Sequence, residues 1–149
     1  MLIIDHIPPT LCNEDLAGKE ADSLVLTSEQ RRWARGRFTS AHGRDIALAL
    51  PTGEALAPGS VLHLEPQWYL EVRAAAEPVI AILPTGYENA VKIAFEVGNR
   101  HFPLALEGEE ILVPDDPAMA QLLDRLGAKW ERRRAAFSPV GKERRHGHA

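Results

Sequence analysis

The chain lacks most of the residues and motifs on which enzymes and secreted proteins depend. Cys12 is its only cysteine, which excludes an intrachain disulfide and a CxxC zinc or redox site. The sequence also contains no phosphate-binding loop, nucleophile elbow or HExxH motif. These absences favour a protein that is not an enzyme.

Long apolar runs are missing as well. No stretch of about 18 apolar residues occurs, so nothing predicts a membrane span. Residues 1–6 lack the basic and apolar segments of a signal peptide. We therefore expect a cytoplasmic protein.

The charge is unevenly distributed along the chain. The 149 residues carry a formal net charge of −4. Residues 128–149 hold seven basic and two acidic residues, a net charge of +5, whereas the rest of the chain carries −9. An acidic body disfavours nucleic-acid binding, and a basic end is typical of a docking segment or a disordered tail.

Two hydrophobic patterns divide the chain. In the first half, short β-prone runs alternate with glycine and proline turns at intervals of about ten residues, which predicts a small antiparallel sandwich or barrel. One of these runs is expected to form a strand from Trp33 to Thr39. The stretch at 74–78 has no periodic pattern and ends in a proline, so it is a plausible linker.

The second half predicts the order β-α-β-β-α-β, which is the ferredoxin-like arrangement. The expected elements are a strand at 79–83, a helix with apolar residues at 87, 90, 91, 94 and 97, strands at 101–106 and 111–113, a helix capped by Asp115 or Asp116, and a strand at 129–137. We therefore expect an α+β protein with a β-rich domain at 1–74, a ferredoxin-like domain at 75–138 and a flexible tail at 139–149.

His101 is the histidine with the most informative context. It follows a helix stop at Gly98-Asn99 and opens a predicted strand. Phe102, Leu104 and Leu106 alternate with it, and we expect this large apolar set to face the core. His101 would then be exposed or lie at a contact with another chain. From spacing alone, a surface histidine without function stays open.

The segment from Phe95 to Leu104 contains the order Gly98-Asn99-Arg100-His101-Phe102-Pro103-Leu104, which resembles the signature of UreE, the urease accessory metallochaperone family. The similarity extends over residues 20–140 and includes Arg35-Gly36-Arg37-Phe38-Thr39, Gly43-Arg44-Asp45-Ile46 and Val113-Pro114-Asp115-Asp116. The chain is thus similar to this family over most of its length.

The resemblance implies a nickel-binding metallochaperone that delivers Ni(II) for assembly of the urease active site. It implies a homodimer that forms through the second domain, with His101 aligned to the histidine that binds nickel at the two-fold axis. The first domain would bind partners or peptides. The urease accessory GTPase and the urease apoprotein complex are the implied partners.

The tail offers further ligands. His146 and His148 are separated by a single glycine, and His101 and His148 from two chains would together supply four nitrogens. Imidazole also suits copper and zinc, so Zn(II) and Cu(II) are expected competitors. A solvated tail without function is the alternative. Many family members place a histidine beside the position of Asp116; here Pro117 stands there, so that accessory site is expected to be missing.

Two other functions stay open. A small RNA-binding or ribosome-associated protein would use the arginines at 132–134 and 144–145 together with Trp130, and its RNA affinity would be sensitive to salt. A metal-independent peptide-binding module built on the first domain predicts that His101→Ala leaves function intact.

Overall fold

The computed structural model describes residues 1–9, 11–51 and 55–141, and the backbone of 143–144. The chain folds into two compact units. Residues 1–75 form the first unit, and the backbone of 143–144 belongs with it. Residues 76–141 form the second.

The first unit is rich in strands, as predicted. Its elements are β1 (Leu2–Ile4), α1 (Asn13–Leu16), β2 (Glu20–Leu26), α2 (Ser28–Trp33), β3 (Arg35–Thr39), β4 (Asp45–Ala49), β5 (Ala55–Leu56), β6 (Val61–Leu64) and β7 (Trp68–Ala74). One sheet has the order β1-β4-β3 and another the order β2-β7-β6. Leu24, Ile46, Leu62 and Leu70 are among the buried side chains that form the core of this unit.

The prediction of a purely antiparallel first domain was wrong. β1 pairs with β4 in parallel, and β2 pairs with β7 in parallel over seven residues. Parallel neighbours need a long connection. The prediction paired each strand only with the next one in sequence through a tight turn, so it could not find parallel pairs. The β3–β4 and β6–β7 pairs, which short turns connect, are antiparallel as expected.

A helical turn replaces the expected start of the third strand. Ser28–Trp33 forms α2, so β3 begins at Arg35 rather than at Trp33. Thr27 caps the helix by accepting a hydrogen bond from the Gln30 amide, and the Gln30 side chain accepts one from the Thr27 amide. This reciprocal capping box was readable in the sequence as Thr-x-x-Gln.

The second unit has the predicted β-α-β-β-α-β order. Its elements are β8 (Ala76–Leu83), α3 (Tyr87–Asn99), β9 (Ala105–Glu107), β10 (Glu110–Pro114), α4 (Pro117–Arg125) and β11 (Lys129–Ala136). The four strands are antiparallel in the order β11-β8-β10-β9. This is the ferredoxin-like arrangement, so the predicted fold class is confirmed.

The ends of the second helix follow the sequence pattern. The Asp116 carboxylate caps α4 by accepting a hydrogen bond from the Ala118 amide at 2.8 Å, and Pro117 occupies the first turn. Met119, Leu122 and Leu123 bury their side chains in a core with Ile80, Ile82, Ile93 and Val97. None of the described helices is long and apolar enough to cross a membrane.

The last described residues return to the first unit. The backbone of Glu143–Arg144 (β12) pairs in parallel with β5, with Glu143 opposite Ala55. The rest of the tail from Lys142 onward lies outside the described residues.

Candidate metal centre

The C-terminus of α3 places His101. The His101 amide donates a hydrogen bond to the Gly98 carbonyl at 2.9 Å, and the Phe102 amide donates to the Val97 carbonyl at 3.3 Å. This pair of bonds is a Schellman motif, in which the residue after the C-cap adopts the left-handed conformation. His101 is that residue, with φ of 62°.

Glycine usually occupies this left-handed position because it has no Cβ. An L-residue there carries a backbone cost of about 1–2 kcal/mol. Helix termination alone would therefore favour glycine at position 101. The left-handed backbone places the exposed imidazole of His101 directly beyond the last turn of α3.

The prediction that His101 opens a strand was therefore wrong. Residues 102–104 have no regular structure, and β9 begins only at Ala105. Phe102 and Leu104 pack against the core as expected, but Leu106 is 66% exposed while Ala105 is buried. The Schellman turn and Pro103 shift the alternation, since a side-chain period of two requires continuous strand geometry. His101 is nevertheless exposed, which agrees with the prediction that it is exposed or lies at a contact with another chain.

The imidazole of His101 has no partner in the part of the chain that the structure describes. The other three histidines there each pair with a carboxylate: His6 with Asp5 at 2.8 Å, His42 with Glu20 at 2.9 Å and His63 with Glu65 at 2.9 Å. His101 is thus the only described histidine whose ring nitrogens have no partner within the described residues.

An apolar surface lies along the exposed side of the same helix. Tyr87, Val91 and Phe95 are spaced by four residues, so they share one face of α3. They are 87%, 51% and 67% exposed. The opposite face buries Ile93 and Val97 in the core. The helix thus presents apolar side chains on two sides, and the described residues cover only one of them.

The apolar residues that predicted α3 by their helical spacing lie in different environments. Of Tyr87, Val91 and Val97, only Val97 is buried. The sequence did carry the signal, because residues 87, 91 and 95 recur every four positions and are offset by two positions from the buried residues 93 and 97. We call Tyr87, Val91 and Phe95 the α3 apolar face.

The remaining predicted ligands are not placed by the structure. His146 and His148 lie outside the described residues. Among the described residues of one chain, no group of three or more histidine, cysteine, aspartate or glutamate side chains could hold a metal.

The basic run at 132–134 is engaged within the second unit. Arg132 pairs with Asp115 at 3.2 Å, and the Arg134 guanidinium donates to the Ala76 carbonyl at 3.1 Å. Arg133 donates two hydrogen bonds to Glu110 and one to Glu131; these contacts raise the pKa of the Arg133 guanidinium. The charges of Arg132 and Arg133 are partly balanced by these carboxylates, which weighs against RNA binding through this run.

The described residues form a β-rich first unit and a ferredoxin-like second unit, in which a histidine without a described partner follows a helix with an exposed apolar face. Residues 4–75 match the N-terminal domain and residues 77–149 the C-terminal domain of the UreE urease accessory protein family. The chain belongs to the UreE family. It is an accessory chaperone in urease maturation and not an enzyme.

Several relatives named urease accessory protein UreE match most of the chain. The protein from Lysinibacillus sphaericus is 38% identical over 148 residues, covering 99% of this chain and all of the relative. The protein from Ralstonia nicotianae is 33% identical over 153 residues and covers 99% of this chain. This chain spans 72% of the Ralstonia protein and 65% of a Burkholderia mallei relative that is 36% identical.

Proposed function

We propose that the protein is a homodimeric nickel chaperone that carries Ni(II) on His101 and the His101 of a second copy. His148, with His146, supplies further ligands from the tail. The metal is cargo for assembly of the urease active site. The urease accessory GTPase and the urease apoprotein complex are the proposed recipients, in the cytoplasm.

The observation that carries this proposal is the free imidazole of His101 at the end of the helix that bears the α3 apolar face. An uncovered apolar face marks an interaction site, since scattered apolar residues on a surface are common but aligned ones are not. A two-fold axis near the end of α3 would cover this face and would bring two imidazoles together. One histidine per chain is then sufficient for a shared site.

The ligand chemistry suits a carrier. Imidazole binds nickel, copper and zinc, so Zn(II) and Cu(II) should compete for the site. Few protein ligands hold a metal loosely, which favours its transfer. Only neutral imidazole coordinates, so protons compete with nickel for the ligands and nickel affinity should fall as the solution is acidified.

Titration calorimetry with Ni(II) near neutral pH tests the proposal. We expect one site per dimer in the wild type, loss of that site in His101→Ala and weaker binding by a chain that ends at Arg145. His6→Ala is the matched control, because His6 is an exposed histidine whose described partner is only the adjacent Asp5. Unchanged binding in His101→Ala would contradict the shared-histidine site.

The dimer is tested separately by sedimentation equilibrium without metal and with Ni(II). Phe95→Ser removes the apolar side chain nearest in sequence to His101 on the α3 apolar face, and we expect the monomer fraction to rise. A wild-type chain that stays monomeric in both conditions would contradict the two-fold site.

A further inference from the structure

The strand β3 of the first unit has an open edge. It pairs with β4 on one side, and among the described strands it is the last in its sheet. Four of its five residues are exposed, with Phe38 as the half-buried exception. An open edge offers backbone amide and carbonyl groups to another extended segment.

The outward face of β3 is basic. Arg35 lies opposite Ala49 and Arg37 lies opposite Ala47 on β4. The side chains of Ile46 and Leu48, which alternate with these alanines, are buried in the core. The two arginines therefore share the solvent face of the sheet with small apolar residues.

The arginines of β3 are not neutralised. Five other arginines, namely Arg44, Arg73, Arg100, Arg132 and Arg133, form ion pairs with carboxylates. Within the described part of the chain, neither Arg35 nor Arg37 has an ion pair or a side-chain hydrogen bond. Arg32 adds a third positive charge just before the strand, 5.6 Å from the ring of Trp33, which is itself 52% exposed.

We propose that the open edge of β3 binds an extended segment of a partner protein in which acidic residues alternate with apolar ones. Residues two apart in a strand are separated by about 7 Å and lie on the same face. Alternate carboxylates of an added strand would thus stand beside Arg35 and Arg37. The intervening side chains would lie on the inner face, beside Gly36 and the ring of Phe38, where apolar residues are favoured.

The charge of this edge decides between possible occupants. A second copy of β3 would place arginines beside arginines, which destabilises cross-strand pairs. A nucleic acid could offer phosphates to the arginines, but it has no peptide amides and carbonyls to pair with the open strand edge. An acidic strand satisfies both the arginines and the backbone edge. This site is independent of His101, so it stands whether or not the chain carries nickel.

The test uses the full chain and a fluorescently labelled hexapeptide in which glutamate alternates with valine. We expect the peptide to bind in fluorescence anisotropy and its affinity to fall as salt is raised. The double variant Arg35→Glu/Arg37→Glu should weaken binding by at least about tenfold, because two attractions become repulsions. The peptide with alternating lysine and valine should not bind.

Two controls separate strand addition from general charge attraction. Arg125→Glu reverses an exposed arginine on α4 that has no ion pair among the described residues, and it should change the affinity by less than about twofold. Methylation of alternate backbone amides of the peptide, on the edge that would meet β3, should abolish binding. Binding that survives methylation would overturn the proposal.

The remaining outcomes are also decisive. Equal affinity of the wild type and the double variant for the peptide would show that Arg35 and Arg37 do not contribute to binding. Tighter binding of a single-stranded RNA oligonucleotide, lost in the double variant, would replace the peptide by nucleic acid. Circular dichroism checks that the double variant is folded; if it is not, Arg35→Gln and Arg37→Gln each keep an exposed polar side chain and should show a smaller loss in the same direction.

Discussion

Asp22 in the first unit and His101 in the second are polar side chains in opposite settings. Asp22 is fully buried and accepts hydrogen bonds from the Ser40 hydroxyl at 2.6 Å, the Arg44 guanidinium at 2.8 Å and the amides of Ser23 and His42. His101 is exposed and has no side-chain partner in the described chain. A polar side chain whose hydrogen bonds are all made within the fold stabilises the structure. A polar side chain without such partners remains available to bind a ligand or another protein.

The Asp22 network joins three segments of the first unit. The carboxylate on β2 holds Ser40 and the turn that follows β3, and it holds Arg44, whose guanidinium lies 3.8 Å from the centroid of the Trp68 ring on β7. Burial alone raises the pKa of Asp22. The hydrogen bonds from Ser40, Arg44 and the two amides outweigh burial and lower the pKa to about 2.

The largest expected effect is the loss of this network. Asp22→Ala leaves the Ser40 hydroxyl and two amides without their acceptor and Arg44 without its counter-charge, so we expect the free energy of unfolding to fall by about 3 kcal/mol. Urea unfolding followed by tryptophan fluorescence measures it. The control Asp45→Ala removes an exposed aspartate and should change stability by less than about 0.5 kcal/mol. Equal losses of unfolding free energy in both variants would show that the buried network of Asp22 contributes no more stability than an exposed aspartate.

Acid unfolding sharpens the same point. The folded pKa of Asp22, about 2, lies below its ordinary value of 3.8. The carboxylate therefore contributes its stability above pH 3.8, and this contribution is lost as the pH falls through about 2. The total is about 2 kcal/mol. Asp22→Asn should be less stable at neutral pH but should show a flatter decline between about pH 4 and 2; an unchanged slope would assign the acid sensitivity to other groups.

The left-handed backbone at His101 gives the next effect. His101→Gly removes the Cβ cost but adds freedom to the unfolded chain, so we expect a net gain of about 0.5–1 kcal/mol in stability. His101→Ala keeps the strain and should match the wild type. Both variants should lose nickel binding in calorimetry. An alanine variant clearly less stable than the wild type would show that the imidazole supports the fold rather than remaining available for metal.

The second unit was more predictable than the first. Its helices carry apolar periods and caps such as Asp116-Pro117, and its elements follow one another along the chain, so local patterns were sufficient. In the first unit, β2 meets β7 across more than 40 residues, and no local pattern records that pairing. Asp22 shows the same limit, because its donors at 40, 42 and 44 lie far from it in sequence.

The site was predictable only in part. The Gly-Asn pair at 98–99 indicated the end of a helix, but spacing could not show that His101, rather than a glycine, takes the left-handed position of the turn. The α3 apolar face was readable as a period of four residues. The lack of a partner for His101 was not readable, since it depends on which carboxylates the fold brings near each histidine.

The smallest effect concerns the ion pair beside His101. Arg100 lies 3.2 Å from Glu96 one helical turn earlier, and both side chains are more than 30% exposed. Exposed pairs at this spacing contribute about 0.3–0.5 kcal/mol because water and salt screen them. A double-mutant cycle with Glu96→Gln and Arg100→Gln should therefore give a coupling of that size at low salt and almost none at about 1 M salt. A coupling above about 1.5 kcal/mol would mean that charges hold the end of α3 as firmly as Asp22 holds β2. The contrast between the Asp22 network and the unpaired His101 would then not extend to the residues next to His101.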